Sequence, residues 1–196
     1  VSRFGGDEFL MLVKQANHIA VVNEMMKAIH RVLYFPYQLE KQELYMQFTM
    51  GISLFPNDGQ TMDEMIMNAD TALNRAKRTG KNKVLYYSDE MKLEVQEYAE
   101  IEVILRNAIA HDGFHLVYQP IIQATDGSVK GYEALLRLTN HRISPIKFIK
   151  VAEETGLIVQ IGRIVTKQAI AQLAAWKQAG YSERIMSLNF SNVQLH

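Results

Sequence analysis

Apolar residues recur along this chain in two rhythms, and the switches between them mark the predicted elements. Arg3-Phe4 and Asp7-Glu8-Phe9-Leu10-Met11-Leu12-Val13 flank Gly5-Gly6, a two-residue step able to take the positive φ of a tight turn, and so predict a β-hairpin. His18, Val22, Met25, Ile29 and Val32 follow helical spacing, with Asn17 as the cap. Residues 44–55 are strand-like up to the turn signal Pro56-Asn57-Asp58-Gly59. Thr61 and Glu64 form a capping box, and Met62, Met65, Ile66, Ala69, Leu73 and Ala76 share one face of the helix that follows. Gly80 stands where a helix C-terminus favours glycine, and a short strand at 84–87 completes this half.

From residue 88 to about 110 the pattern is helical and charged, which predicts a joint between two units. A strand at 114–123, a turn through Asp126-Gly127 and a strand at 129–138 come next. Ser144-Pro145 opens a helix to Gly156, a longer helix covers about 161–178, and 184–190 is a strand. The closing strand–helix–strand order implies parallel pairing, and the whole pattern predicts an α/β (α+β) fold.

Composition removes several alternatives. The 21 Lys+Arg balance 21 Asp+Glu, so no net charge is available to hold a nucleic-acid polymer or an anionic membrane. Apolar residues make up 48%, too many for a disordered chain, yet no apolar run approaches the ~20 residues of a spanning helix. The absence of cysteine excludes disulfides, thiolate metal sites and cysteine nucleophiles. The six histidines share no metal-ligand spacing. The chain opens on Val1-Ser2-Arg3-Phe4 without a methionine and closes with apolar residues still arriving. Both ends are expected to be cuts from a longer protein.

Candidate chemistry lies in charges placed inside strands. In Gly131-Tyr132-Glu133-Ala134-Leu135-Leu136-Arg137-Leu138 both alternating faces carry bulky apolar groups, so the strand is expected to be buried on both sides. Glu133 and Arg137 share a face but are separated by roughly 13 Å of strand, so each needs another partner. Two readings fit: structural salt bridges, or Glu133 on a metal ion with Arg137 on a phosphate. Gln119 in the preceding strand and Asn189 late in the last strand are further polar groups of this kind. Asp7 and Glu8 follow a bare Gly5-Gly6 backbone, which suits either a solvated hairpin tip or the close approach of a base or phosphate. Lys77, Arg78 and Lys81 cluster at a helix C-terminus, where the helix dipole alone would place cations.

These residues carry a resemblance. Arg3-Phe4-Gly5-Gly6-Asp7-Glu8-Phe9 resembles the signature of the GGDEF family of diguanylate cyclases. Phe48-Thr49-Met50-Gly51-Ile52-Ser53, Ala69-Asp70-Thr71-Ala72-Leu73-Asn74-Arg75-Ala76-Lys77 and Gly80-Lys81-Asn82 resemble its later blocks. Glu133-Ala134-Leu135-Leu136-Arg137 resembles the signature of the EAL family of cyclic di-GMP phosphodiesterases. Tyr118-Gln119-Pro120, Ala152-Glu153-Glu154-Thr155-Gly156-Leu157-Ile158 and Ser187-Leu188-Asn189-Phe190-Ser191 match further EAL blocks in order.

The resemblance implies residues 1–87 as the C-terminal part of a GGDEF sheet domain, 88–100 as a helical linker and 101–196 as the N-terminal part of an EAL TIM-like barrel. It implies that Asp7 assists deprotonation of a ribose hydroxyl and contacts metal, that Glu8 binds metal, that Gly5 and Gly6 admit substrate, and that Lys77 and Lys81 hold GTP phosphates. In the second half it implies Glu133, with a catalytic role, and Asn189 as metal ligands, and Gln119 and Arg137 as contacts to the dinucleotide. The implied cofactor is Mg2+ or Mn2+, and the implied ligands are GTP and cyclic di-GMP. A cytoplasmic location, with any membrane anchor outside this segment, and a homodimer for the cyclase reaction also follow. The sequence departs from the family at Lys81, where arginine is common, at Asn74, where tyrosine is common, and through Leu138-Thr139-Asn140-His141-Arg142. Other catalytic groups of both families would lie before Val1 and after His196, so this segment alone is expected to be inactive. Two functional readings stay open: a parent enzyme that hydrolyses cyclic di-GMP to linear pGpG, makes it from two GTP, or both, or a catalytically dead scaffold that binds these nucleotides.

Overall fold

The computed structural model describes residues 1–14, 19–80, 82–181 and 185–195. Asn17, His18, Lys81 and His196, named above, and residue 184 at the start of the last predicted strand lie outside the described residues. The chain divides into two compact units, Val1–Lys92 and Leu93–His196. No helix among the described residues is long and apolar enough to cross a membrane.

In the first unit, β1 (Ser2–Gly5) and β2 (Glu8–Leu10) pair antiparallel, with Arg3 opposite Phe9 and Gly5 opposite Glu8. The turn is therefore Gly6-Asp7, one residue later than expected, and β2 ends at Leu10 rather than Val13. Gly6 takes φ 52°, and the Arg3 guanidinium donates to the Gly6 carbonyl from Nε at 2.9 Å and Nη2 at 2.7 Å. A left-handed residue tied back to its own strand fixes the turn at that step. The next element, α1 (Ile19–Tyr34), buries Val22 and half-buries Met25 and Ile29, but Val32 from the same predicted stripe is exposed.

The single strand expected over 44–55 is two strands in two sheets. β3 (Tyr37–Leu39) and β4 (Gln42–Leu44) form a hairpin whose turn carries Glu40 at φ 55°. β5 (Met50–Ile52) instead pairs parallel with β6 (Val84–Tyr86). An apolar run does not say how many partners it serves, and here it serves one on each side of residues 45–49.

Between β5 and β6 runs α2 (Met62–Thr79), started by the capping box: the Glu64 N–H donates to Thr61 Oγ1 at 3.2 Å, and the Thr61 N–H donates to Glu64 Oε2 at 3.2 Å. The backbone N–H groups of Gln60 and Thr61 hold the Glu64 carboxyl below its usual range. Ala72 and Ala76 are fully buried, and Ala72 packs with Tyr87 and Met91. Met62, expected on this face, is exposed. The contact of α2 with β5 depends on Gly51, where a Cβ would stand 2.1 Å from the Ala69 carbonyl oxygen and 2.2 Å from the Leu73 nitrogen.

The second unit begins within α3 (Asp89–Ala110) and continues with β7 (Phe114–Ile122), β8 (Val129–Leu138), α4 (Pro145–Glu154), α5 (Ile158–Gln178), β9 (Ile185–Leu188) and a 3-10 turn at Asn192–Leu195. α5 starts three residues before the predicted 161, directly after the buried Leu157. β8 is central: it pairs antiparallel with β7 and, as expected from the order of elements, parallel with β9. The core gathers Ile101, Leu105, Phe114, Leu138, Phe148 and Ile161, with Phe148 and Leu105 fully enclosed. Trp176 of α5 packs against Tyr118 and Tyr132, with ring centroids 4.9 and 4.8 Å away, which is the packing role its helical position implied.

Gly51→Ala should destabilise the protein by about 1–3 kcal/mol in urea unfolding, because the new methyl meets helix backbone rather than a side chain that can turn aside.

Candidate functional site

Strand alternation sorts the second unit's sheet into two chemistries. Phe114, Leu116 and Tyr118 of β7 stand opposite Leu138, Leu136 and Ala134 of β8, and this face packs into the core. On the other face His115 stands opposite Arg137, Val117 opposite Leu135, and Gln119 opposite Glu133. The three β7 residues of this second face are exposed, and the three of β8 are half-buried. β8 is thus buried on its core face and half-buried on the other, where the sequence pattern predicts burial on both sides. Helices cover one face of the described sheet, and the charges lie on the other, where water reduces the cost of keeping them ionised.

Three of the predicted residues meet on that face. Glu133 pairs with Gln119 across the antiparallel ladder and with Ser187 across the parallel one. β9 ends at Leu188, and Asn189, the next residue, donates from Nδ2 to Glu133 Oε1 at 2.7 Å. A carboxylate and an amide present the oxygen donors that a hard divalent cation takes. These two donors fit part of such a shell, although no group of three or more His, Cys, Asp or Glu able to hold a metal ion exists among the described residues. Arg137 lies four residues along β8 from Glu133, and its Nη1 donates to the Leu136 carbonyl at 2.8 Å. Among the described residues neither Glu133 nor Arg137 has a salt-bridge partner; Glu133 accepts from an amide and Arg137 donates to a carbonyl. Arg137 also lines an open groove of about 580 Å³ together with His115, Thr139, His141, Arg142 and Ser144. The segment 138–142, where the sequence departs from the pattern it resembles, lines this groove.

In the first unit the hairpin and the end of α2 are joined. Lys77 Nζ donates to Glu8 Oε1 at 2.9 Å, although the two residues are 69 apart in sequence. The helix dipole does not require that partner, so the placement of Lys77 beside the hairpin is a feature of the tertiary structure. Its ammonium is held above the usual lysine range, chiefly by the hydrogen bond to Glu8, with the charges of Glu8, Asp7 and Asp70 adding to it against partial desolvation. Gly5, Gly6 and Asp7 form the adjoining strand end and turn, and no side chain or backbone approaches within 4 Å of where a Cβ would stand on either glycine. Lys81, the other predicted phosphate contact, lies outside the described residues.

One pair was not singled out from the sequence. Ser191 Oγ donates to Glu153 Oε1 at 2.5 Å, linking the segment after β9 to the end of α4. A carboxylate in the last turn of a helix, against the helix dipole, is the sequence signal that could have pointed to it.

The family model of the GGDEF domain of diguanylate cyclases matches residues 1–83, and that of the EAL domain matches residues 102–196. The chain belongs to the tandem GGDEF–EAL proteins. Over 197 residues it is 35% identical to the bifunctional diguanylate cyclase/cyclic di-GMP phosphodiesterase MucR of Pseudomonas aeruginosa, covering 99% of this chain and 29% of that protein. It is also 35% identical to the cyclic di-GMP phosphodiesterase PdeR of Escherichia coli, covering all of this chain and 30% of PdeR. The chain thus spans less than a third of the length of these curated relatives. A solved PaMucR phosphodiesterase in complex with c-di-GMP is 37% identical and covers 47% of this chain and 38% of its own, with a TM-score of 0.44. EAL phosphodiesterases as a family use divalent metal ions.

The sign of the Lys77 shift fixes a pH dependence. A lysine whose folded value is raised contributes stability below its ordinary pKa and loses it as pH rises through the raised value. NMR titration of the Lys77 side chain should give a midpoint above the ordinary lysine value, and Glu8→Gln should return it toward that value. The accompanying loss of stability should be small, about 0.2–1 kcal/mol at most, because both side chains are more than a third exposed.

Proposed function

We propose that the protein to which this chain belongs is a cyclic di-GMP signalling enzyme whose EAL half hydrolyses cyclic di-GMP to linear pGpG. The observation that carries the reading is the convergence of Gln119, Glu133 and Asn189 on one face of the β7–β8–β9 sheet, with Arg137 four residues further along β8 on the same face. The names of its relatives support the same reading.

In this proposal Glu133 and Asn189 hold a divalent cation, Mg2+ or Mn2+, through a carboxylate and an amide oxygen. Such an ion, bound there, would supply an acidified water and offset charge on the phosphodiester. Gln119 donates to the dinucleotide beside the ion. The Arg137 guanidinium, a planar fork of N–H donors, grips a phosphate and fixes the register of the ligand along β8.

The GGDEF half would join two GTP molecules. Asp7 and Glu8 hold the same class of ion, and Asp7 assists removal of the ribose proton. Gly5 and Gly6 leave the backbone bare for substrate, and Lys77 and Lys81 meet the phosphates. The Glu8–Lys77 pair keeps each charge compensated, and a metal ion and a phosphate would be the alternative partners of the two side chains. Two facing GTP sites call for a homodimer, and use of GTP places the working domains in the cytoplasm.

The test is made on the full-length protein with Mg2+ or Mn2+ and either cyclic di-GMP or GTP, followed by chromatography of the nucleotides. Linear pGpG is the expected product from cyclic di-GMP. Glu133→Gln should lower its rate of formation by more than about 100-fold, at or beyond the loss typical of residues that merely support a metal ligand. Binding of cyclic di-GMP without formation of pGpG would leave a receptor in place of an enzyme.

A further inference from the structure

Asn189 reaches Glu133 from a segment that the sheet itself does not hold. The pairing of β8 with β9 ends at Ala134 and Leu188, and residues 189–191 belong to no helix or strand. Asn189 and Phe190 are exposed, so burial does not fix them either. A side chain so placed keeps its bond to Glu133 only if the backbone just beyond it is anchored.

The anchor is visible two residues on. Ser191 donates from Oγ to Glu153 Oε1 at 2.5 Å and from its backbone N–H to Gln194 Oε1 at 2.9 Å, and its Oγ accepts from the Val193 N–H at 3.3 Å. Gln194 in turn lies against Gly162 of α5, in the space a Cβ would fill. Glu153 stands on α4, whose Phe148, Val151 and Ala152 are buried, so it is a fixed point. Its position is not explained by the helix, because a carboxylate in the last turn opposes the helix dipole and no basic residue accompanies it there. A short bond from a hydroxyl to an ionised carboxylate is among the stronger hydrogen bonds a protein makes.

We infer that Glu153 is a positioning residue for the Glu133–Asn189 pair: by holding Ser191 it fixes the segment that presents Asn189 to Glu133. The consequence for catalysis rests on the phosphodiesterase reading; the consequence for Asn189 does not.

The experiment follows the Asn189 side-chain amide by NMR in the 196-residue chain labelled with 15N-asparagine, its signal assigned by loss in Asn189→Asp. Glu153→Ala and Ser191→Ala should each speed hydrogen exchange of that amide by about three- to tenfold, the scale of one lost hydrogen bond. Glu153→Gln, which keeps an acceptor, and Ser191→Thr, which keeps the hydroxyl, should restore slow exchange. A role confined to stability would lower the melting temperature and leave the exchange of the Asn189 amide unchanged. Unchanged exchange in Ser191→Ala, a change in a surface segment, overturns the inference even if Glu153→Ala does not fold. In the full-length protein Glu153→Ala should lower kcat by about tenfold with little change in KM, as expected when a metal ligand loses its support. Faster exchange with a wild-type protein that makes no pGpG would overturn the phosphodiesterase reading and leave the positioning role intact. Unchanged exchange with an active wild type would do the reverse.

Discussion

The antiparallel register of β7 on β8 is the constraint from which the second unit follows. Because successive strand residues face opposite sides, setting Phe114 against Leu138 also sets Gln119 against Glu133 and His115 against Arg137. A slip of one residue would send Glu133 and Arg137 into the core beside Phe148 and bring Leu136 and Leu138 out to water. Burying two charges among Leu105, Phe148 and Ile161 would cost several kcal/mol each, so the core itself enforces the register that builds the polar face. Packing and chemistry are thus two sides of one pairing.

The first unit reaches a comparable result by a different route. Its described sheets are small, with two strands each, and the hairpin tip carries almost no buried surface. Local bonds fix the tip: Gly6 in a left-handed conformation and the Arg3 guanidinium on the Gly6 carbonyl. What brings chemistry to it is α2, seated on β5 by the missing side chain of Gly51, so that the end of the helix delivers Lys77 to Glu8. A close helix–strand contact far from the acids therefore decides which cation they meet. The exposed Lys77–Glu8 pair contributes little to stability. Its consequence is electrostatic: it keeps an acid and a base of the candidate site compensated.

Much of this was legible in the residues. The capping box at Thr61 and Glu64, the helix it starts, the strand 129–138 and the parallel return of the last strand all have local signatures, and the structure carries them. So do the motif blocks that identify the GGDEF and EAL segments. The misreadings have a common origin. The run 44–55 was divided between two sheets, the hairpin turn moved by one residue, and β2 ended three residues early. In each case the outcome depended on a partner that the local pattern does not name.

The sequence by itself determined the rhythm of the elements, the family, and the residue types available for binding ions and phosphates, because capping, turn chemistry and alternation act over a few neighbouring residues. Only the tertiary structure decided which of those residues meet. Glu133 lies 56 residues from Asn189, Glu8 lies 69 from Lys77, and Glu153 lies 38 from Ser191. Contacts at such separations are set by strand register and helix seating, which are properties of the packed core and are written in no single stretch of the chain.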